Sequence, residues 1–157
     1  MTTTVLFLHG REGSPNGTKA TTLKGAGFDV VAPALPDDDF AAAVRIAQVA
    51  FDEQRPTVVV GSSRGGAVAL SLAPHDVAVV LVCPAWKMFA PGTKATSRTR
   101  ILHSAQDELI PLAESHELAA LSGLSLEAVT VVGAAHRMSD PAALKALVGA
   151  VREALEN

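Results

Sequence analysis

The sequence predicts an α/β protein, a three-layer sandwich whose six-stranded parallel sheet is covered by helices on both faces, and three observations lead there. Its strand-like segments are short continuous apolar runs, the pattern of strands buried on both faces, whereas a half-exposed strand would alternate. Segments of helical character stand between these runs along the chain. No Asn-Gly or Asp-Gly hairpin turn joins one run to the next. The 157 residues fit one domain, 1–157, long enough to bury roughly 68–70% of the surface exposed when unfolded.

In chain order, Val5-Leu-Phe-Leu-His9 reads as the first buried strand, broken by Gly10 and followed by a polar, turn-rich loop over 11–17. Thr18 to Lys24 makes a short helix that stops at Gly25 or Gly27. Phe28 to Ala32 is the second strand. Asp39 stands where it can cap a helix from Phe40 to Gln54, with Phe40, Val44, Ala47 and Phe51 on one stripe. Thr57 to Val60 is the third strand, and the helix after it runs from Gly65 to Ala73, stopped by Pro74. Val77 to Val82 and Arg100 to His103 are the fourth and fifth strands, with only a loop over 84–99 between them. A helix from Leu112 to Leu121 and a strand from Glu127 to Val132 follow. Asp140-Pro141 then opens the last helix, buried through Leu144, Leu147, Val148, Val151 and Leu155.

Composition narrows the function classes. Hydrophobic residues make up 48% of the chain and charged residues 18%, which marks a well-filled globular protein. A net charge of −3 leaves no electrostatic footprint for nucleic acid or an anionic membrane. The apolar run behind Met1-Thr-Thr-Thr4 is too short for a signal peptide or a membrane span, and with Cys83 alone no intrachain disulfide can form; a cytoplasmic protein is expected.

The chemistry is expected beyond the C-terminal ends of the strands. Val58 to Gly66 reads Val-Val-Val-Gly-Ser-Ser-Arg-Gly-Gly, a β-branched run, a Gly-x-Ser-x-Gly turn and then a helix. A serine at that apex is held in a strained turn with its hydroxyl above the sheet. Gly61 and Gly65 are required because a Cβ at either would strike neighbouring backbone. Asp107 follows the fifth strand and His136 the sixth. A serine hydroxyl is a poor nucleophile until an imidazole accepts its proton, and a carboxylate holds that imidazole in the right tautomer, so Ser63, His136 and Asp107 form the candidate catalytic set. Asp107 is favoured over its neighbour Glu108 for the acid. His9 is read as structural, holding the loop after the first strand, and His103 as a packed core residue. Cys83 is read as buried filler, and the spacing of the histidines offers no metal site.

These residues carry a resemblance to the α/β-hydrolase fold superfamily. Leu8-His9-Gly10 resembles its oxyanion loop, Gly61-Ser-Ser63-Arg-Gly65 its nucleophile elbow, Asp107-Glu-Leu-Ile-Pro111 its acid loop and Ala135-His136 its histidine loop. Ser14-Pro15, Lys19-Ala20 and Pro33-Ala-Leu-Pro36 look similar to small bacterial serine esterases of the YqiA type, and the likeness covers nearly the whole chain. The resemblance implies a truncated fold that lacks the superfamily's two leading strands and has no cap domain, so the site should be shallow and open. It implies a serine hydrolase, a carboxylesterase for small acyl esters that works through an acyl-enzyme without a cofactor. The backbone N–H groups of Arg11 and Arg64 would then receive the oxyanion. Thioesterase or dienelactone-hydrolase-like activity uses the same machinery, and a non-catalytic interaction module on this fold is the reading from another class. Arg11, Arg64 and Arg137 flank the three loops and are candidates for a guanidinium clamp on an anionic substrate, with Trp86, Met88 and Phe89 as an apolar wall.

Overall fold

The computed structural model describes residues 3–11 and 13–156; Met1, Thr2, Glu12 and Asn157, which enter the readings of the N-terminus, the first loop and the whole-chain domain, lie outside the described residues. The elements in order are β1 (Thr4–Leu8), α1 (Thr18–Gly25), β2 (Asp29–Val31), α2 (Phe40–Gln54), β3 (Val58–Ser62), α3 (Arg64–Leu70), β4 (Ala78–Val82), α4 (Trp86–Phe89), β5 (Thr99–His103), α5 (Leu112–Leu121), β6 (Val129–Val131) and α6 (Pro141–Glu156). The six strands form one sheet in the order β2-β1-β3-β4-β5-β6, and every neighbouring pair is parallel. The chain leaves β1 for β2 on one side and returns to the other side for β3. The order therefore reverses at the β1/β3 boundary, and there the loops diverge and leave a crevice at the strands' C-terminal ends.

Alternation along each strand sorts the core into two layers. Val5, Phe7, Val58, Val60, Val80 and Val82 face α1 and α6, where Leu23, Leu147 and Val151 are buried. Leu6, Leu8, Val59, Val79, Leu81 and Ile101 face α2, α3 and α5, with Ala43, Ala47, Val68 and Leu118 opposite. Both faces of the central strands are dry, which is why the runs read as continuously apolar.

Several local expectations differ from the structure, and α3 ends at Leu70, three residues short of the expected Ala73. The 84–99 segment contains a one-turn helix, α4. The sixth strand starts at Val129 because Leu126–Ala128 forms a 3-10 turn, with the Ser125 hydroxyl accepting from the Glu127 N–H at 3.2 Å. In α6 the residues turned furthest inward are Ala143, Leu147, Ala150, Val151 and Ala154, while Val148 and Leu155 pack at the margin. Alanines on the inner stripe let the helix axis approach the sheet, so the larger side chains are displaced to its flanks.

The helix α3 lies close enough to β1 and β3 that two glycines are mandatory. A Cβ on Gly65 would stand 2.0 Å from the Leu8 carbonyl oxygen, and one on Gly61 would stand 2.5 Å from the Gly65 carbonyl oxygen. Backbone cannot yield as a side-chain tip can, so Gly65→Ala must push α3 off the sheet. A loss on the order of 3 kcal/mol is expected, read as a fall in the denaturation midpoint at unchanged m-value. A variant as stable as wild type would show that the close approach is dispensable.

Candidate active site

The site begins with the strain at Ser63. Its backbone lies at φ 55° and ψ −117°, in the left-handed region that a side chain disfavours, between the end of β3 and the first residue of α3. The turn is pinned by the Ser63 N–H donating to the Val82 carbonyl at 2.9 Å, and by the Gly66 and Ala85 N–H groups donating to the Ser63 carbonyl, each at 2.9 Å. This lifts the hydroxyl clear of the sheet. His136 Nε2 lies 2.9 Å from Ser63 Oγ, and His136 Nδ1 lies 2.7 Å from Asp107 Oδ2. The nitrogen facing the carboxylate carries the proton, which leaves Nε2 with a lone pair toward the serine hydroxyl.

Asp107 is held more completely than an orienting acid needs. Its Oδ1 accepts from the N–H groups of Leu109 at 2.8 Å and Ile110 at 2.7 Å. Burial by itself would raise its pKa, but the Ile110 N–H, the His136 ring and the Leu109 N–H outweigh it and keep the carboxyl below its usual range. Glu108 reaches only the backbone N–H of His136, at 3.4 Å, so the imidazole is served by Asp107. Beneath the acid sits His103, wholly buried. Its Nε2 donates to the Ile110 carbonyl at 2.9 Å and lies 3.1 Å from Asp107 Oδ2, while its Nδ1 accepts from the Ser115 hydroxyl at 2.6 Å. The Asp107 oxygen that meets His136 is thus flanked by a second imidazole.

The loop after β1 packs directly on the serine. A Cβ on Gly10 would stand 3.1 Å from the Ser62 carbonyl oxygen and 3.2 Å from Ser63 Cβ. His9 fixes this loop, its Nδ1 donating to the Gly10 carbonyl at 2.7 Å and its Nε2 accepting from the Leu35 N–H at 2.9 Å. Arg64 opens α3, so its N–H has no partner within the helix. Around Ser63 lies an open cleft of about 730 Å³, lined among others by Arg11, Lys19, Met88, Phe89, Leu109 and Arg137. A smaller hollow of about 370 Å³ lies at the opposite end of the strands, around Ala78, Thr99 and Leu124, far from any of this chemistry.

The sequence from 5 to 154 matches the family model described as the Alpha/beta hydrolase family. The chain belongs to that family. Among solved structures, this alpha/beta hydrolase is similar to a protein of Xanthomonas campestris pv. campestris described only as a candidate hydrolase of the alpha/beta superfamily, at 26% identity and a TM-score of 0.74 over 98% of each chain. It shares the fold of alpha/beta hydrolase domain-containing protein 10 from mouse, at 17% identity and a TM-score of 0.79, over 98% of this chain and 89% of that one. It likewise shares the fold of an alpha-beta serine hydrolase homologue from Coxiella burnetii, at 18% identity and a TM-score of 0.71, over 97% and 84%. No curated protein matches the chain closely enough to count as a relative.

One expected cleft residue of this alpha/beta hydrolase, Trp86, is placed elsewhere, and another, Arg64, borders the cleft from a buried position. Trp86 is 3% exposed, and its indole N–H donates to the Glu114 carbonyl at 2.9 Å, so it belongs to the core on the α2 side. Met88, two residues on along α4, points the other way and is 66% exposed at the cleft. The Arg64 side chain is only 2% exposed; its guanidinium carbon lies 5.4 Å from the ring centroids of both Phe40 and Phe89. These contacts occupy the face of the guanidinium, so Arg64 is no free arm for a clamp. Arg11 and Arg137 are exposed and line the cleft.

The sequence marks His103 as core but not its link to Asp107, marks Lys19 only within a resemblance, and gives no signal for Met138. Met138, at φ 51° and 2% exposed, plugs the core between Gly133 and α6, anchoring the loop that carries His136. Cys83 is fully buried, and burial together with the Asp107 carboxylate pushes its thiol up to about 12, although the Ser104 N–H and Lys19 act the other way. Such a thiol is protonated and not a nucleophile. The ligand atoms of Cys83, Asp107 and His136 lie within 4.8 Å of one another. A metal there would have to strip the thiol proton and break the 2.7 Å bond between Asp107 and His136, so this donor set is poorly suited to a metal.

Among the described residues no helix is long and apolar enough to cross a membrane.

Proposed function

We propose that this chain is a serine hydrolase, a carboxylesterase acting on small acyl esters through an acyl-enzyme. The unbroken hydrogen-bonded line from Ser63 Oγ through His136 to Asp107 carries the reading. Ser63 Oγ bonds to the substrate carbonyl carbon as its proton passes to His136 Nε2, and Asp107 stabilises the imidazolium that results. The oxyanion is received by the backbone N–H groups of Arg11 and Arg64, one on the loop that Gly10 brings against the serine and one at the start of α3. Collapse expels the alkoxide, which takes the proton from Nε2. Water entering the open cleft repeats the cycle, releasing the acid and restoring Ser63.

Met88 and Leu109, each 66% exposed, give the open cleft apolar contact for an acyl chain. The same attack would serve a thioester. A fluorophosphonate probe with intact-mass detection tests the reading: one covalent adduct is expected, mapped to Ser63 and absent in Ser63→Ala. Folded protein that takes up no probe, and hydrolyses no ester or thioester from a panel of graded acyl length, would make the fold an interaction module.

A further inference from the structure

Among the described residues, the charged side chains that line the cleft are cationic. Arg11, Lys19 and Arg137 line it, Arg64 lies buried at its edge, and no aspartate or glutamate is among the described lining residues. The chain as a whole carries 16 acidic and 13 basic side chains, so this concentration of cations runs against its composition. Asp107 and Glu108, the acids that touch His136, are engaged with its ring and its backbone N–H.

Lys19 is the member that a solvated surface does not explain. It sits in the first turn of α1, half-buried, and its ammonium donates to the backbone carbonyl of Arg137, 118 residues away in sequence. Burial lowers its pKa; the neighbouring Cys83 acts in the opposite sense, and the Arg137 charge lowers it further. Lys87 pairs with Glu117 and Arg100 with Glu153, and among the described residues Arg11, Lys19 and Arg137 form no ion pair with a carboxylate. The Lys19 ammonium therefore stands at a partly desolvated edge, bonded to a carbonyl and within the field of the Arg137 charge. An anion placed there counters both positive charges and offsets part of the desolvation cost of the ammonium.

We propose that the cleft selects acyl esters that carry a second, anionic group, held by the Lys19 ammonium and the Arg137 guanidinium with Arg11 at the rim. Carboxylate and phosphate share the required chemistry, a compact anion with several acceptor oxygens. Met88, Phe89 and Leu109 then offer contact to the apolar spacer between that anion and the reacting carbonyl. The proposal rests on the hydrolase reading and specifies its substrate class.

The test compares three nitrophenyl esters of equal spacer length: the adipate monoester with a free carboxylate, its terminal amide as the neutral isostere, and the phosphonopentanoate ester. Rates are normalised to hydroxide-catalysed hydrolysis and read at about 20 mM and about 300 mM salt. At low salt kcat/KM for the adipate ester is expected to exceed that of the amide by about tenfold, an advantage that shrinks as salt rises. The ratio should fall towards one in Lys19→Met, which keeps the packed stem, and in Arg137→Gln. It should persist in Arg152→Gln on the exposed face near the end of α6. A preference for the phosphonate over the carboxylate would support the anion site and name phosphate as its ligand.

Equal normalised rates for adipate ester and amide in wild type, or a ratio unchanged by Lys19→Met, would overturn the proposal while leaving the hydrolase standing. If no ester is turned over and the fluorophosphonate leaves Ser63 unlabelled, the hydrolase reading fails instead. The anion site is then decided by calorimetry with adipate itself, whose binding should weaken with salt and in Lys19→Met; absence of binding would overturn it.

Discussion

Ser63→Ala is expected to lower kcat for ester hydrolysis by about 10⁶-fold, the cost of removing the nucleophile from a serine triad. The residual rate over water would come from the oxyanion donors and from binding. Alanine keeps a Cβ in the φ 55° turn, so stability should hardly change. Ser63→Gly removes the same hydroxyl together with the strain of a side chain in that region, and should raise the denaturation midpoint as well as abolish activity. Turnover of purified Ser63→Ala near the wild-type rate would remove Ser63 from the mechanism. An unchanged midpoint in Ser63→Gly would show that the turn stores little strain.

Asp107→Asn is expected to cost about 10⁴-fold in kcat, because an amide presents its N–H to His136 Nδ1 and favours the tautomer that cannot accept the serine proton. Glu108→Gln should stay within a few-fold of wild type, since that carboxylate touches only the His136 backbone N–H. The reverse ranking would transfer the role. The same substitution carries a stability signature. Asp107 has a depressed pKa in the folded protein, so its ionisation stabilises the fold above the unfolded value of about 3.9 and that contribution is lost as pH falls through the lower folded value. The gap in melting temperature between wild type and Asp107→Asn should therefore be wider at about pH 7 than at about pH 3. A gap that ignores pH would mean that the two backbone N–H groups and the imidazole do not favour the charged form.

The sheet and the position of the candidate site are legible because they depend on local signals. Continuous apolar runs mark strands buried on both faces, and the runs at β1, β3 and β4 are those strands. Gly61, Ser63 and Gly65 announce a strand-turn-helix elbow because backbone approaches of 2.0 to 2.5 Å to a would-be Cβ leave no alternative to glycine. Serine, acid and histidine each follow a strand end, and a parallel sheet brings such ends together whatever the intervening sequence. The choice of Asp107 over Glu108 was also within reach, although only the turn at Leu109 and Ile110 decides which carboxylate faces the ring.

What no local pattern contains is the direction of a side chain once helices have docked. Arg64 and Trp86 stand beside the cleft in sequence, yet α3 and α4 turn them into the packed layer with Phe40, Phe89 and Glu114. Met138 looks like a loop residue and is a core plug. His103 reads as an apolar-strand histidine until α5 delivers Ser115 to one nitrogen and the acid loop delivers Asp107 and Ile110 to the other. Lys19 and Arg137 stand 118 residues apart and meet only because α1 and the histidine loop border the same end of the sheet. Backbone geometry follows from the periodicity and sterics of neighbouring residues, so the strands, the elbow and the end of the sheet that holds the candidate site can be read from local pattern alone. Side-chain placement at that end is settled by which surfaces are desolvated against each other, and that is a property of the assembled layers.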